Sequence, residues 1–213
     1  MYDFATVDLS SVYFDVLKDR LYTSATRSHA RRSAQTALYR LTLALARLLA
    51  PILSFTTDEV WNSLKLAGNV HTAEFPTPEE LLSGIPEAQR SRLANWDRLL
   101  PLRQEVLKKL EAARQEKVIG APLEAAVRIA AGSASFQLLR EYEAELPGLF
   151  IVSQVHLSNH VEEPGAVEIA VERAAGLKCE SCWKYTTDTG ANADFPTICA
   201  PCADAVVEMT ANA

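Results

Sequence analysis

The sequence is sparing with cysteine: the 213 residues hold four, all between positions 179 and 202. A disulfide framework spread through the chain is therefore excluded. Positive charge is not in surplus either. Lys and Arg number 21 against 27 Asp and Glu, a formal net charge of −6, so binding to nucleic acid requires a local patch rather than bulk attraction. No apolar run approaches the length of a membrane span, and no signal-peptide pattern opens the chain, which points to a cytoplasmic protein without membrane contact. The sequence also lacks the Gly-x-x-x-x-Gly-Lys phosphate loop, the Gly-x-Gly-x-x-Gly dinucleotide turn and the Gly-x-Ser-x-Gly elbow. A zinc deaminase would need Pro-Cys-x-x-Cys beside a His-x-Glu; here Pro201 lies inside its cysteine pair, so that reading fails. Of the histidines His29, His71, His156 and His160, only the last two are close in sequence. They read as polar strand-end residues before they read as ligands.

With 48% hydrophobic residues, what is present suffices for a real core, in one large or two to three small domains. From Asp8, read as an N-cap, Val12, Tyr13, Val16, Leu17 and Leu21 recur at helical spacing. Ala34, Ala37, Leu38, Leu41, Leu45, Leu48 and Leu49 form a longer stripe that should end near Pro51. Thr56 and Glu59 have the spacing of a capping box for a third helix, stopped by Gly68. A connecting loop follows from His71 to Pro86, then a helical pattern from Glu87 to Lys117 that Pro101 should kink or break. Its inward face would use Leu99, Leu102, Val106, Leu110 and Ala113. Together these predict a mainly α fold, an antiparallel helix bundle over residues 1–118. A small α/β junction over 119–175 is expected next. Strands are predicted at Glu124–Ala131, Leu149–Leu157 and Ala166–Val171, with a helix at Phe136–Glu145 and a turn at Asn159–Gly165. Gly176 reads as the hinge into a last module, 176–213.

That module is the strongest signal. Cys179-Glu-Ser-Cys182 and Cys199-Ala-Pro-Cys202 are two Cys-x-x-Cys turns separated by sixteen residues, a spacing that suits one structural Zn²⁺. Four thiolates leave no open coordination position, so the metal should supply folding energy and no catalysis. The bland alternative, two disulfides, needs an oxidising compartment that nothing else suggests. Trp183, Lys184 and Tyr185 follow the second cysteine directly. Trp183 either packs over the metal turn as its miniature core or stacks on an unpaired RNA base. Earlier in the chain, Arg20, Arg27, His29, Arg31 and Arg32 fall within thirteen residues. They are either a solvated helix face or a phosphate grip, with Gln35 available to a base edge.

Several runs resemble a known family. Tyr13-Phe-Asp-Val-Leu-Lys-Asp-Arg-Leu-Tyr22, Ala30-Arg-Arg-Ser-Ala-Gln-Thr36, Leu49-Ala-Pro-Ile-Leu-Ser-Phe-Thr56 and Asp58-Glu-Val-Trp61 resemble the anticodon-binding helical domain of bacterial isoleucyl-tRNA synthetases. Leu102-Arg-Gln-Glu-Val106, Ile119-Gly120 and Leu123-Glu-Ala125 are similar to the junction that follows it, and Cys179 to Cys202 with Trp183 and Tyr185 to the family's terminal zinc finger. The resemblance implies a class I anticodon-binding fold and a chain that is the C-terminal part of a larger ligase, with Met1 not its natural start. It implies zinc on Cys179, Cys182, Cys199 and Cys202. It also implies recognition of the anticodon stem-loop of the isoleucine tRNA through Arg20, Arg27, Arg31, Arg32, Gln35, Trp183 and Lys184. ATP and isoleucine would bind only in the missing catalytic part, since the His-Ile-Gly-His and Lys-Met-Ser-Lys-Ser signatures are absent. Partners would be the tRNA and the remainder of the synthetase, with the protein a monomer. Two other readings stand beside it. A DNA repair glycosylase has a finger of similar spacing, but it begins with a catalytic Pro-Glu where this chain has Met-Tyr-Asp. A free-standing zinc adaptor would bind protein through the acidic surface.

Overall fold

A computed structural model describes residues 1–211 as two compact units. One comprises Met1–Ser28 with the chain from Leu93 onward; the other is His29–Arg92. The expected class holds: the chain is mainly helical, with small sheets and a four-cysteine cluster. Among the described residues no helix is long and apolar enough to cross a membrane.

The first unit opens on a π-helical segment, Phe4–Tyr13, that runs without a break into α1, Phe14–Tyr22. Asp8 lies inside the π segment and is not an N-cap. The helical run already begins upstream, with the Ala5 N–H donating to the Met1 carbonyl at 3.0 Å, so no free helix end is left for Asp8 to cap. Leu9 and Leu17 are the buried positions of this run. The Thr23 hydroxyl closes α1 by donating to the Asp19 carbonyl at 2.7 Å and to Asp19 Oδ1 at 3.0 Å.

In the second unit α2, His29–Leu49, stops before Pro51 as its stripe predicts. Ala46 and Ala50 pack with Val70, Val60 and Trp61 into a small separate core. Helix α3 spans Ser54–Ser63 with Leu53 at its N-cap and no side-chain cap bond, so Thr56 and Glu59 are not its capping box. The turn out of α2 already hands its backbone to the new helix, and Thr57 buries its hydroxyl on the Leu53 carbonyl at 3.0 Å. The helix ends before Gly68, because Lys65 takes the left-handed conformation at φ 54°. The 71–86 stretch is mainly loop, with a short α4, Pro78–Leu81, capped by Thr77. Arginines tie it down: Arg47 to Glu80 through two bonds of 2.6 and 3.1 Å, and Arg40 to the Ser83 carbonyl at 2.8 Å. A one-turn α5, Glu87–Arg90, completes the unit.

Returning to the first unit, α6 covers Trp96–Gln115 with Pro101 inside it. Pro101 sits in the second turn, where its missing N–H forfeits a single backbone bond, so the helix persists. The interruption lies upstream, between α5 and α6. Leu99, Val106, Leu110 and Ala113 are buried as expected, with Leu102 partly so. Their counterpart is a three-stranded sheet of order β2-β1-β3: β1 Ala125–Ala131, β2 Gln154–Ser158 parallel to it, and β3 Val167–Arg173 antiparallel to it. The parallel pair needs a crossover, supplied by α7, Ser133–Glu141, and α8, Leu146–Phe150. A strand from Leu149 is therefore corrected. Pro147 fixes a helical φ in the first turn of α8, and Leu146, Leu149 and Phe150, at i, i+3 and i+4, all bury on one face. Ile151 at φ 58° ends that helix, and β2 starts three residues later. Arg103 of α6, only 3% exposed, reaches the end of α8, where Nε donates to the Leu149 carbonyl at 2.9 Å. Burial holds its pKa below the usual arginine value. The hairpin β4 Leu177–Lys178 with β5 Tyr185–Thr186, and the helix α9 Ala200–Ala211, complete the described chain.

Candidate metal centre and nucleic-acid interface

The β4–β5 hairpin carries the first cysteine pair at its tip, with Lys178 opposite Tyr185 and Leu177 opposite Thr186. The Cys179 N–H donates to the Lys184 carbonyl at 2.8 Å, and the Trp183 N–H donates back to the Cys179 carbonyl at 2.9 Å. This tight turn forces Trp183 to φ 65°. The second pair straddles the start of α9: Cys199 precedes it, Cys202 lies in its first turn, and the Ala203 N–H donates to the Cys199 carbonyl at 3.0 Å. A bond of 3.1 Å from the Glu180 N–H to the Thr197 carbonyl draws the two turns together.

All four sulfurs lie within 4.8 Å of one another. Cys182 and Cys199 Sγ are 3.8 Å apart, and a tetrahedron with Zn–S of about 2.3 Å has sulfur edges of about 3.8 Å. Cys179, Cys199 and Cys202 are buried and Cys182 is partly so. At Cys179, burial opposes ionisation, but the backbone N–H groups of Cys182, Cys199 and Ser181 outweigh it and bring the thiol down to about 6. Burial pushes Cys199 up to about 12 and raises Cys182 as well. Four sulfurs this close repel as thiolates and need a cation among them, so the donor set, its spacing and its burial fit Zn²⁺.

Gly176 proves to be a point of close approach. At φ 95°, a Cβ there would run into the Thr186 carbonyl of the partner strand. Gly176→Ala should therefore destabilise the hairpin by about 1–3 kcal/mol. Weakened metal retention in a competition with a chromogenic chelator, beside unaltered far-ultraviolet helix content, would report it.

The remaining candidate residues divide between the units. In the first, Arg20 is half-buried on α1, and Arg27 is exposed in the turn after it, its backbone N–H donating to Glu208 Oε1 at 3.3 Å. In the second, Arg31, Arg32 and Gln35 occupy the first two turns of α2. Arg31 is half-buried, and the exposed Arg32 donates from Nη1 to Gln35 Oε1 at 3.3 Å. Two guanidinium groups at the start of a 21-residue helix place cations beside the positive end of its dipole, a combination suited to an anion. Trp183 is 61% exposed, so it is not the miniature core of the metal turn. Lys178 Nζ stands 5.7 Å from the centre of its ring. Lys184 turns inward and bonds Asp19 Oδ2 of α1 at 2.6 Å.

That last pair joins residues 165 apart, and no local pattern reveals it. Also invisible in the sequence is a cleft of about 350 Å³ bordered by α1, the end of α8 and the metal turn. Tyr22 and Trp183 stand among its lining residues. Tyr22, which ends α1, is 80% exposed. An exposed aromatic at a helix end was the one signal available for it.

Comparison with known proteins places these features. Residues 176–205 match the family described as "Zinc finger found in FPG and IleRS". An isoleucine–tRNA ligase from Syntrophotalea carbinolica is 43% identical over 212 residues, 95% of this chain and 22% of that protein. Those of Carboxydothermus hydrogenoformans and Symbiobacterium thermophilum are 39% and 43% identical over 98% and 97% of the chain, each covered to 23%. The chain thus spans less than a quarter of the length of these relatives. Residues 1–129, more than half of the sequence and comprising α1 to α6 with most of β1, match the anticodon-binding domain of tRNA ligase, and the chain belongs to that family.

Proposed function

We propose that this chain is the tRNA-recognition end of an isoleucine–tRNA ligase, a monomeric cytoplasmic enzyme whose other parts attach isoleucine to tRNA at the expense of ATP. The observation that carries this reading is continuity. Similarity to isoleucine–tRNA ligases runs through 95% of the chain, from the helices across the sheet and into the cysteine module. A DNA repair glycosylase would share the finger alone.

In this reading residues 1–118 hold the anticodon stem-loop, 119–175 form the junction, and 176–213 close over the loop as a module folded on one zinc ion. Cys179, Cys182, Cys199 and Cys202 hold that ion, which supplies rigidity and no chemistry. Arg20, Arg27, Arg31 and Arg32 neutralise phosphates. Gln35 faces a base edge, and the exposed indole of Trp183 offers a stacking surface beside Lys184. ATP and isoleucine belong to other regions of the ligase, and no catalytic step falls on a residue of this chain.

Filter binding of the 213-residue chain to the isoleucine tRNA over a salt series tests the proposal. Replacing Arg31 and Arg32 together by Ala should weaken binding and flatten the log–log salt slope by roughly one for each phosphate left without its cation. A slope unchanged by the double substitution removes α2 from the interface. Equal retention of duplex DNA and tRNA by the unaltered chain sinks the reading as a whole.

A further inference from the structure

Between Arg47 and Asp58 the chain runs without a charged residue, from Leu48 to Thr57, across the turn that joins α2 to α3. Phe55 is the most exposed large hydrophobic residue described, at 89%, and Ile52, three residues before it, is 77% exposed. Leu48 and Leu53 are exposed beside them. Clustered apolar exposure of this kind marks a surface that another protein surface covers. The turn is nonetheless rigid. The Ile52 and Leu53 N–H groups both donate to the Leu49 carbonyl, at 2.9 and 2.7 Å, and the Ser54 hydroxyl donates to the Ala50 carbonyl at 3.1 Å. Thr57 donates to the Leu53 carbonyl through both its N–H and its hydroxyl. Beneath, Ala46 and Ala50 are fixed in the small core with Val70. Side chains presented on so firm a backbone lose little freedom on docking, which is what an anchor residue requires.

Charge and chain length indicate the occupant. An RNA backbone or an anionic lipid surface asks for cations. The run offers none, and the adjoining Arg47 is already held by Glu80 through two bonds. At the other border Asp58 accepts from Asn62 at 3.0 Å. An apolar groove of a protein is the complementary surface. More than three-quarters of the length of the relatives lies outside the region matched here. A groove on the same polypeptide acts at an effective concentration that a separate partner does not reach. Helix α2 gives the position its meaning: Arg31 and Arg32 stand in its first turn, and the apolar turn follows its last, about 30 Å away. Recognition of RNA at a distance aids a reaction only when the two sites are held at a fixed separation.

We propose that Ile52 and Phe55 anchor the second unit in an apolar groove of the catalytic part of the ligase, making α2 a strut between that part and the bound RNA. The proposal rests on the tRNA reading above and adds the surface that keeps recognition in register with the chemistry. Ile52 and Phe55 are positioning residues, since neither touches RNA or a reacting atom.

The test compares the isolated 213-residue chain with the whole ligase polypeptide that contains it. Hydroxyl-radical labelling read by mass spectrometry reports side-chain exposure, with Trp183 as the reference. Without tRNA, Ile52 and Phe55 should be labelled about tenfold more slowly in the ligase, the drop expected when open surface becomes a desolvated interface core. Phe55→Ser should restore fast labelling of Ile52 in the ligase. It should also lower kcat/KM for charging tRNA by about tenfold to a hundredfold, the cost of a small misplacement. Activation of isoleucine by ATP without tRNA should not change. The isolated chain carrying Phe55→Ser should keep its melting temperature and its retention of tRNA. If that melt shifts, Ile52→Ser takes its place, with Phe55 labelling as the readout. Equal labelling in chain and ligase overturns the strut and leaves the tRNA reading intact. Slow labelling in an isolated chain that sediments as a dimer makes the occupant a second copy and overturns it too, as does slow labelling that appears only with tRNA. A ligase polypeptide that charges no tRNA removes the functional reading and the strut together.

Discussion

Chelating the metal, or replacing Cys202 by Ser, is expected to unfold the chain from about Gly176 onward while the rest keeps its structure. Among the described residues the cysteine cluster is most of the interior of that module: Cys179, Cys199 and Cys202 are buried with Cys182 and Ile198 packed against them, beside the small Ala203 and Ala205 of α9. The hairpin is two residues per strand and cannot stand alone. Structural zinc in finger peptides binds with an apparent free energy of about 10–16 kcal/mol, far above what so small an apolar cluster supplies. Hydrogen exchange followed by mass spectrometry, with and without a zinc chelator, reads the result. Amides of Cys179, Trp183, Gly190 and Ala203, which are bonded within the module, should lose protection by orders of magnitude. Amides of β1, paired on both sides, should keep theirs. Local changes should reach the points where the module is tied to its unit. These are the Tyr185 N–H on Ser153 Oγ at 2.7 Å, Gln154 Nε2 on the Tyr185 carbonyl at 3.3 Å, and Lys184 on Asp19. If β1 and α6 lose protection together with the cysteine module, the division at Gly176 is wrong.

The same chelated protein bears on recognition. Trp183 and Lys184 are positioned by the metal turn, so the stacking surface should disappear with the module while Arg31 and Arg32 stay on α2. Residual tRNA binding would then keep its salt dependence and lose the part carried by stacking. A structural ion would thus control recognition without touching RNA, because it holds an indole in a strained conformation that the free peptide would abandon.

What could be read from the sequence followed the range of the interaction that carried it. The cysteine pairs were legible because ligand spacing is local and the donor chemistry is specific. The burial of Leu99, Val106, Leu110 and Ala113 was legible because one helix face repeats every three to four residues. Capping residues misled at Asp8 and Thr56, where the helix had already begun on backbone bonds alone. The stretch Leu149 to Leu157 misled for a different reason. A one-turn helix and a strand, separated by a left-handed Ile151, together make an apolar run that looks like a single strand. The Asp19–Lys184 bond and the cleft were not legible at all, since neither partner has a local pattern and the contact exists only after the unit has folded.

Phe150→Ala is expected to be among the most damaging single substitutions in the first unit. Phe150 is the largest fully buried side chain described, and it lies in the core with Leu139, Leu146, Leu149 and Val152. Truncating a buried Phe removes its transfer free energy and leaves a cavity, a loss of about 3–5 kcal/mol. Against a domain stability of about 5–15 kcal/mol, that is roughly a fifth of the total or more. The site resists collapse, because α8 is held at both ends. Pro147 sets its start, and Ile151 in the left-handed conformation follows a carbonyl already bonded to buried Arg103. Phe150→Leu, which keeps most of the volume, should lose far less. Urea melts with zinc at saturation separate this effect from metal loss. Trp96, whose ring lies 6.3 Å from Tyr142 in the same unit, reports on the damaged core, and Trp61 reports on the second unit. A shift below about 1 kcal/mol would mean that the core refills the space. In that case α8 would be too soft to hold Gly148 and Ile151 as a fixed wall of the cleft. A large shift makes the wall rigid for the same reason that the core is, and the shape of the cleft then depends on a phenylalanine buried out of its reach.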